Sequence, residues 1–257
     1  MDLKELTQTR DPKFGTFLFE FTTPGIGYIL KAAGCDFVVI DLEHSGIGVE
    51  TTKHLLRYLE AADLPAIVGL PAKDNHFISR TQDIGAEGVM PPMVASADEV
   101  RRMVRHLKFP PLGERAVSVQ VGHDRYAPAP VDRMLADTNA RSVFFAKVET
   151  ADAIGDIDRI AAEPGVDGLW VGHYDLTASL GIPGQFDSPM FTDAIDAVVA
   201  ACRANNLALG RIASSIDEGK ALIDVGFDFI AYSGDAWILR DALGTAITSL
   251  RQAVKES

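Results

Sequence analysis

The feature that most constrains the fold is a short apolar segment that recurs along the whole chain. Eight such segments are present, at residues 14–20, 35–41, 65–71, 88–94, 142–149, 168–172, 207–213 and 227–233. Most are separated by stretches with apolar residues every three or four positions, such as GVETTKHLLRYLEAAD (48–63) and SADEVRRMVRHLKF (96–109). Nearly continuous apolar strands that alternate with amphipathic helices are typical of a parallel sheet covered on both faces. The sequence therefore predicts an α/β fold.

Eight strand–helix units favour a (β/α)8 TIM barrel over an open doubly wound sheet. No G-x-G-x-x-G follows the first strand, and dinucleotide-binding open sheets carry that turn. The 257 residues contain no linker-like stretch, and barrels of this length are commonly one domain. We expect a single domain over residues 1–257, with a loop-and-helix excursion at about 110–140 that covers the active face or contacts another subunit.

Composition and charge exclude several classes of partner. The formal net charge is −12 and the basic residues are scattered, so nucleic acid would be repelled. No apolar run approaches the roughly 20 residues of a membrane-spanning helix, and the first residues lack a signal-peptide core. Cys35 and Cys202 have no C-x-x-C spacing and are expected to be buried thiols in a reducing compartment. We expect a cytoplasmic protein with no nucleic-acid or membrane partner.

The hexapeptide DLEHSG (41–46) ends the second predicted strand with three ionisable side chains. In a barrel the carboxyl ends of the strands surround one pocket, so polar residues there are candidates for catalysis. Asp41 and Glu43 point to the same side of the strand by alternation, and His44 follows in the loop. The alternative is that these residues only cap the next helix. Three ionisable groups beside a buried strand cost free energy unless they are paired or functional, which favours a catalytic role.

Two further acids follow the fifth and sixth predicted strands. Lys147 and Glu149 lie two residues apart in AKVET, hence on one face, and Asp175 follows GLWVG. Carboxylate oxygens are the ligands that Mg²⁺ and Mn²⁺ prefer, and no pair of histidines has the spacing of a zinc site. Taken singly, each acid equally suits a solvated loop or a helix cap, and Asp175 suits an N-cap. The residues alone leave metal binding and structural roles open.

Five longer motifs, in a fixed order along the chain, resemble the HpcH/HpaI aldolase family. They are GCDFVVIDLEHSG, DIGAEGVMPPMV, FPPLGERAVS, VETADAIGDIDRIAAEPGVDGLWVGHYDLTASLG and GFDFIAYSGD. The resemblance implies a barrel of the phosphoenolpyruvate/pyruvate-binding type, with the last helix exchanged between subunits of a homohexamer or trimer. It also implies a class II aldolase that cleaves or forms 4-hydroxy-2-oxo acids, with pyruvate or a close 2-oxo acid and an aldehyde as the small-molecule partners.

The resemblance also assigns roles to residues near the strand ends. It implies a divalent ion, Mg²⁺ or Mn²⁺ with Co²⁺ also compatible, held by Glu149 and Asp175. It implies that His44 acts as the catalytic base and that Asp83, in RTQDIG, orients it.

Substrate binding is expected at the start of the helix after the sixth strand and in the excursion. Backbone N–H groups around Gly172, His173 and Tyr174 would hold the substrate carboxylate, because a helix N-terminus favours anions. Arg115, in the excursion, would contribute to selectivity for the aldehyde or would only anchor its own loop.

At two positions the chain departs from the pattern of the family. The family commonly has an arginine near the end of the third strand, where this chain has Gly69, and a glutamine where it has Lys147. We therefore expect Lys147, or else Arg211 on the seventh strand, to supply the missing cation. The alternative is that Lys147 only neutralises an acidic barrel mouth. A Schiff-base role for Lys147 is opposed by Glu149, which stabilises the ammonium form.

Two rival functions remain open at this point. One is another enolate reaction on a 2-oxo acid, such as a Claisen-type condensation or the decarboxylation of oxaloacetate. The other is a degenerate barrel that only binds a 2-oxo acid.

Overall fold

The computed structural model describes residues 2–255 and contains a closed barrel of eight parallel strands. The strands are β1 (Lys13–Leu18), β2 (Phe37–Asp41), β3 (Ala66–Gly69), β4 (Gly88–Met90), β5 (Val143–Val148), β6 (Gly168–Val171), β7 (Ala208–Ala213) and β8 (Phe229–Gly234). Each strand pairs with the next, and β8 closes the barrel on β1. The predicted (β/α)8 barrel is confirmed, and each of the eight apolar segments forms a strand.

Helices occupy the segments between the strands. They are α1 (Leu3–Thr7), α2 (Ile26–Ala32), α3 (Val49–Ala61), α4 (Asn75–Asp83), α5 (Ala97–Leu107), α6 (Val131–Arg141), α7 (Ala151–Gly155), α8 (Ile157–Ala161), α9 (His173–Ser179), α10 (Pro189–Asn205), α11 (Ile216–Val225) and α12 (Asp235–Lys255). Across residues 2–255, no helix has the length and apolar character needed to cross a membrane. Both cysteines are free thiols, with Cys202 buried and Cys35 half-buried.

Large aromatic side chains fill the interior of the barrel. The ring of Phe229 lies 4.9 Å from that of Phe37 and 5.4 Å from that of Phe145, and Trp170 packs edge-on against both phenylalanines. Leu3 of α1 is fully buried in the same cluster. Because the interior is packed, we expect the chemistry at the carboxyl ends of the strands, where Lys147 of β5 meets Glu149.

The excursion at about 110–140 lies at the opposite end of the barrel. It connects the end of α5 to the start of β5, and helices in this fold run antiparallel to the strands, so it sits at their amino ends. Arg115 pairs with Asp83, the last residue of α4, and Arg125 lies 2.6 Å from Glu60 near the end of α3. The segment also borders a cavity of about 240 Å³ at this end. The prediction that it covers the active face of its own chain is wrong, whereas a contact with another subunit stays a prediction.

The last helix, α12, leaves the barrel with its apolar side chains exposed. Asp235 is buried at its start, and all side chains from Trp237 to Lys255 are exposed. Leu243 is 51 % exposed and Leu250 is 69 % exposed. A long apolar face of this kind usually marks a contact with another molecule. The exchange of this helix between subunits stays a prediction, and the exposure of α12 supports it.

Candidate active site

Lys147 is the centre of a line of charged side chains at the mouth of the barrel. Its Nζ lies 2.8 Å from Oε2 of Glu43 and 2.8 Å from Oε1 of Glu149. Lys147 is 8 % exposed and Glu149 is 1 % exposed. On the outer side, Nε2 of His44 lies 3.8 Å from the same oxygen of Glu43. Glu43 therefore links an exposed imidazole to a buried ammonium and carboxylate.

The two carboxylates keep Lys147 in its charged form. Burial lowers the pKa of Lys147, but Glu149 and Glu43 together outweigh burial and raise this pKa above its ordinary value. A Schiff base requires the neutral amine as the nucleophile. The surroundings of Lys147 therefore favour a role as a permanent positive charge.

Glu149 is held in place by three neighbours. Its Oε1 faces Lys147, and its Oε2 accepts a hydrogen bond from the backbone N–H of Met93 at 2.9 Å. Gly172 closes the third side, because a Cβ there would overlap Oε1 and would lie 2.7 Å from the carboxyl carbon. Position 172 therefore accepts no side chain while the carboxylate stays where it is.

Asp175 lies in the first turn of α9, exposed to solvent. The N-cap residue of α9 is Gly172, so the alternative that Asp175 is an N-cap is wrong. Within residues 2–255, its carboxylate has no hydrogen-bond or ion-pair partner. It is therefore available as a ligand.

The donor set fits a hard cation better than zinc. Glu149 and Asp175 offer carboxylate oxygens only, which suits Mg²⁺ or Mn²⁺ with the remaining positions left to water and substrate. No group of three or more His, Cys, Asp or Glu side chains suited to a metal occurs in the described part of the chain. A divalent ion bound by Glu149 and Asp175 would lie close to the ammonium of Lys147, which already contacts Glu149.

Asp41 shapes the loop that carries Glu43 and His44. Its Oδ1 accepts the backbone N–H of Glu43 at 2.9 Å and that of His44 at 2.7 Å, and Asp41 is 3 % exposed. The following helix, α3, begins after Gly48 without a side-chain cap. The alternative that these acids cap the next helix is therefore wrong.

Gly69 faces the barrel mouth from the end of β3, beside Asp41. A Cβ at this position would lie 3.6 Å or more from its neighbours, the nearest being the carbonyl oxygen of Ile40. This is an ordinary contact distance, so packing does not require glycine.

Two predicted site residues lie at the wrong end of the barrel. Asp83 ends α4, and its carboxylate binds Arg115, whose side chain is fully buried and lies over the ring of Phe109. His44 follows β2 at the other end. Within one chain, Asp83 therefore does not orient His44, and Arg115 does not reach the substrate; Arg115 anchors its own loop.

Arg211 lies on the outer face of β7. Its neighbours Gly210 and Ile212 face the interior, where Gly210 contacts Trp170. The guanidinium of Arg211 binds Oε1 of Glu218 at 2.8 Å. Its predicted role as the replacement cation is therefore wrong, whereas Lys147 lies at the barrel mouth beside Glu149.

The start of α9 matches the predicted anion site only in part. The N–H of Gly172 already donates to the carbonyl of Val148 at 3.1 Å. The ring of His173 packs 4.4 Å from Tyr174 and 5.2 Å from Phe186, and burial, helped by a nearby arginine, lowers the pKa of His173 to about 4. The side chains of His173 and Tyr174 therefore form an aromatic cluster. Their backbone N–H groups have no acceptor among the described residues.

Comparison with known proteins decides the family. A sequence profile described as HpcH/HpaI aldolase/citrate lyase matches residues 15–242, which include every residue at the barrel mouth. The chain belongs to this family. The resemblance of the five motifs is thereby confirmed.

Relatives of the chain are similar over nearly its whole length. A hydroxypyruvate/pyruvate aldolase of Paraburkholderia phytofirmans is 34 % identical over 262 aligned positions, covering 99 % of this chain and 96 % of the relative. The crystal structure of an HpcH/HpaI aldolase from Desulfitobacterium hafniense has a TM-score of 0.91 and 30 % identity, covering 98 % of this chain and 97 % of that one. The structure of the citrate synthase SbnG has a TM-score of 0.87 and 26 % identity, with 98 % of each chain covered.

Proposed function

We propose that the protein is a metal-dependent aldolase that cleaves or forms 4-hydroxy-2-oxo acids, with pyruvate or a close 2-oxo acid as the donor. Membership of the family identifies it as a carbon–carbon lyase. The observation that carries the proposal is the line from His44 through Glu43 and Lys147 to Glu149 at the barrel mouth. The similarity to a hydroxypyruvate/pyruvate aldolase supports a small 2-oxo acid as the donor.

Glu149 and Asp175 would hold the divalent ion, which is Mg²⁺ or Mn²⁺, with Co²⁺ also compatible. A bound ion supplies Lewis acidity, which stabilises the negative charge that develops on the keto oxygen of an enolate. The N–H groups of His173 and Tyr174, at the start of α9, would hold the substrate carboxylate.

His44 is proposed to move the proton at the reacting carbon. Its side chain is 63 % exposed and therefore open to substrate. Glu43, 3.8 Å away, would stabilise the imidazolium that forms after His44 takes a proton. Asp83 would reach His44 only from a second copy of the chain.

Lys147 is proposed to replace the arginine that this chain lacks at Gly69. Its ammonium would face the developing charge on the substrate from β5, across the mouth from the usual strand. The test compares Lys147→Gln with the double variant Gly69→Arg/Lys147→Gln. We expect the single variant to lose at least tenfold in turnover and the double variant to recover part of it. Unchanged turnover in Lys147→Gln would show that the lysine only neutralises the acids around it.

Exchange of the methyl protons of pyruvate in D₂O tests the proposed function directly, because it needs no aldehyde. By proton NMR we expect exchange that depends on Mg²⁺ or Mn²⁺ and is lost in His44→Asn. His54→Asn is the matched control, since His54 is exposed on α3 away from the site. An absence of exchange by the wild-type protein would contradict the proposal and would favour a barrel that only binds its ligand.

A second candidate is another enolate reaction on a 2-oxo acid. The similarity to the citrate synthase SbnG favours it, as does Gly69 at the position where the family commonly has an arginine. Incubation with oxaloacetate, and separately with pyruvate and glycolaldehyde, distinguishes the two. Consumption of pyruvate and glycolaldehyde together is the result expected for an aldolase, whereas consumption of oxaloacetate alone indicates a decarboxylase.

A further inference from the structure

We propose that Lys147 and the divalent ion compete for Glu149, so that the ammonium occupies the cation position of the site until an ion displaces it. This inference rests on the proposed function, since it takes Glu149 to be a ligand of the ion. It concerns a residue in which the chain departs from its family.

The ammonium already makes the contacts that a cation would make. Lys147 Nζ lies 2.8 Å from an oxygen of Glu149 and 2.8 Å from an oxygen of Glu43, and the lysine is 8 % exposed. The other oxygen of Glu149 is engaged by the N–H of Met93. Each carboxylate oxygen has two lone pairs, but an ion that shared Oε1 with the ammonium would lie close to its positive charge, and this repulsion favours release of the ammonium. The N–H of Met93 belongs to the backbone and cannot turn away, whereas the flexible four-carbon stem of a lysine allows its ammonium to move.

Glu43 gives the lysine a second resting place. When the ion takes Oε1 of Glu149, the ammonium remains paired with Glu43, which sits on the loop after β2 and is 20 % exposed in its side chain. Gly69, at the neighbouring end of β3, contributes no side chain there. Entry of the ion would therefore move the ammonium away from Glu149 and toward the space where the substrate binds. Lys147 would neutralise Glu149 when no ion is bound, and it would face the substrate when the ion is bound.

The first experiment measures the binding of Mn²⁺ alone, without a 2-oxo acid, by electron paramagnetic resonance of the free ion. The variants are Lys147→Gln, which removes the competing charge, and Lys147→Arg, which keeps it. Lys220→Gln is the matched control for net charge, since Lys220 is exposed on α11. Glu149→Gln removes the proposed ligand.

We expect Lys147→Gln to bind Mn²⁺ at least tenfold more tightly than the wild type. Lys147→Arg and Lys220→Gln should stay within about threefold of the wild type, because the local charge is kept in one and is remote in the other. Equal or weaker binding by Lys147→Gln overturns the competition while leaving the metal site intact. If no variant binds Mn²⁺, the proposed metal site fails, and the competition fails with it.

A second measurement uses the wild-type protein and does not depend on the folding of a variant. The rate at which Lys147 is acetylated by an amine-reactive ester is followed by mass spectrometry, with Lys220 as the internal reference. We expect Mn²⁺ to increase the relative rate at Lys147 several-fold, because the ammonium loses one of its two carboxylates. An unchanged or reduced rate at saturating Mn²⁺ contradicts the displacement.

Discussion

Gly172→Ala is the substitution whose effect the structure specifies most closely. The added Cβ would lie 2.7 Å from the carboxyl carbon of Glu149, where ordinary contacts begin at 3.4 Å, so the carboxylate must move by at least 0.7 Å. Glu149 is 1 % exposed and is fixed by the N–H of Met93 and by Lys147. A shift of this size pulls the carboxylate away from the N–H of Met93, which belongs to the backbone and cannot follow.

The magnitude follows from the contact that is lost. A hydrogen bond to a charged group contributes about 1.5–3 kcal/mol, and the shifted carboxylate gives up at least one. We expect the free energy of unfolding to fall by about 2 kcal/mol, measured by urea titration at a fixed protein concentration. Proton exchange of pyruvate should fall by about 100-fold, since Glu149 is a proposed ligand of the ion and a misplacement of about 1 Å in a site can cost that much.

Gly155→Ala is the matched control, because a Cβ there has no neighbour within 4 Å. Gly155 ends α7, where alanine is expected to be neutral or to stabilise the protein by up to about 1 kcal/mol. If Gly172→Ala kept both the stability and the exchange rate of the wild type, the position assigned to Glu149 would be wrong.

Three further predictions concern parts of the molecule away from the barrel mouth. Leu243→Asp, on the exposed face of α12, should reduce the molecular mass measured by light scattering without loss of helix content. An unchanged mass would exclude this face as a contact between subunits. Asp83→Ala should lower the free energy of unfolding by about 3 kcal/mol in urea titrations, because it leaves the buried charge of Arg115 unpaired. Arg115→Met should lower it by less than half as much. The reverse order would contradict the pairing. Burial lowers the pKa of Lys108 from 10.5 to about 8, so between these two pH values the unfolded chain binds more protons than the folded one. The free energy of unfolding should therefore rise with pH across this window, by up to about 3 kcal/mol relative to Lys108→Met. Parallel pH profiles of the two proteins would refute this.

The barrel was predictable because its strands are buried on both faces and therefore appear as unbroken apolar runs. Strand β5 shows that the sequence pattern also predicts part of the site. Once AKV was assigned to a strand, alternation put Lys147 and Glu149 on one face, and the structure confirms that they meet. Alternation also predicts the position of Arg211. Ala208 and Gly210 are the small residues that face the packed interior, so Arg211, which lies between two inward-facing positions, points outward.

The contacts that escaped prediction depend on the closed topology. Glu43 meets Lys147 across 104 residues of sequence, and the local pattern identified Glu43 only as an acid near Asp41. The position of Asp83 was predictable in principle. A residue that ends a helix lies at the amino ends of the strands, because the helix runs back along the barrel, and Asp83 ends α4. Arg115 follows α5 and lies at the same end for the same reason.

The most direct test of the central claim is a calorimetric titration of Mn²⁺ into the protein in the presence of pyruvate. We expect one ion to bind per chain, more tightly with pyruvate than without it, and we expect Glu149→Gln and Asp175→Asn each to abolish this binding. Absence of ion uptake by the wild-type protein with pyruvate present, or uptake that both variants retain, would contradict the claim that these two carboxylates hold the ion.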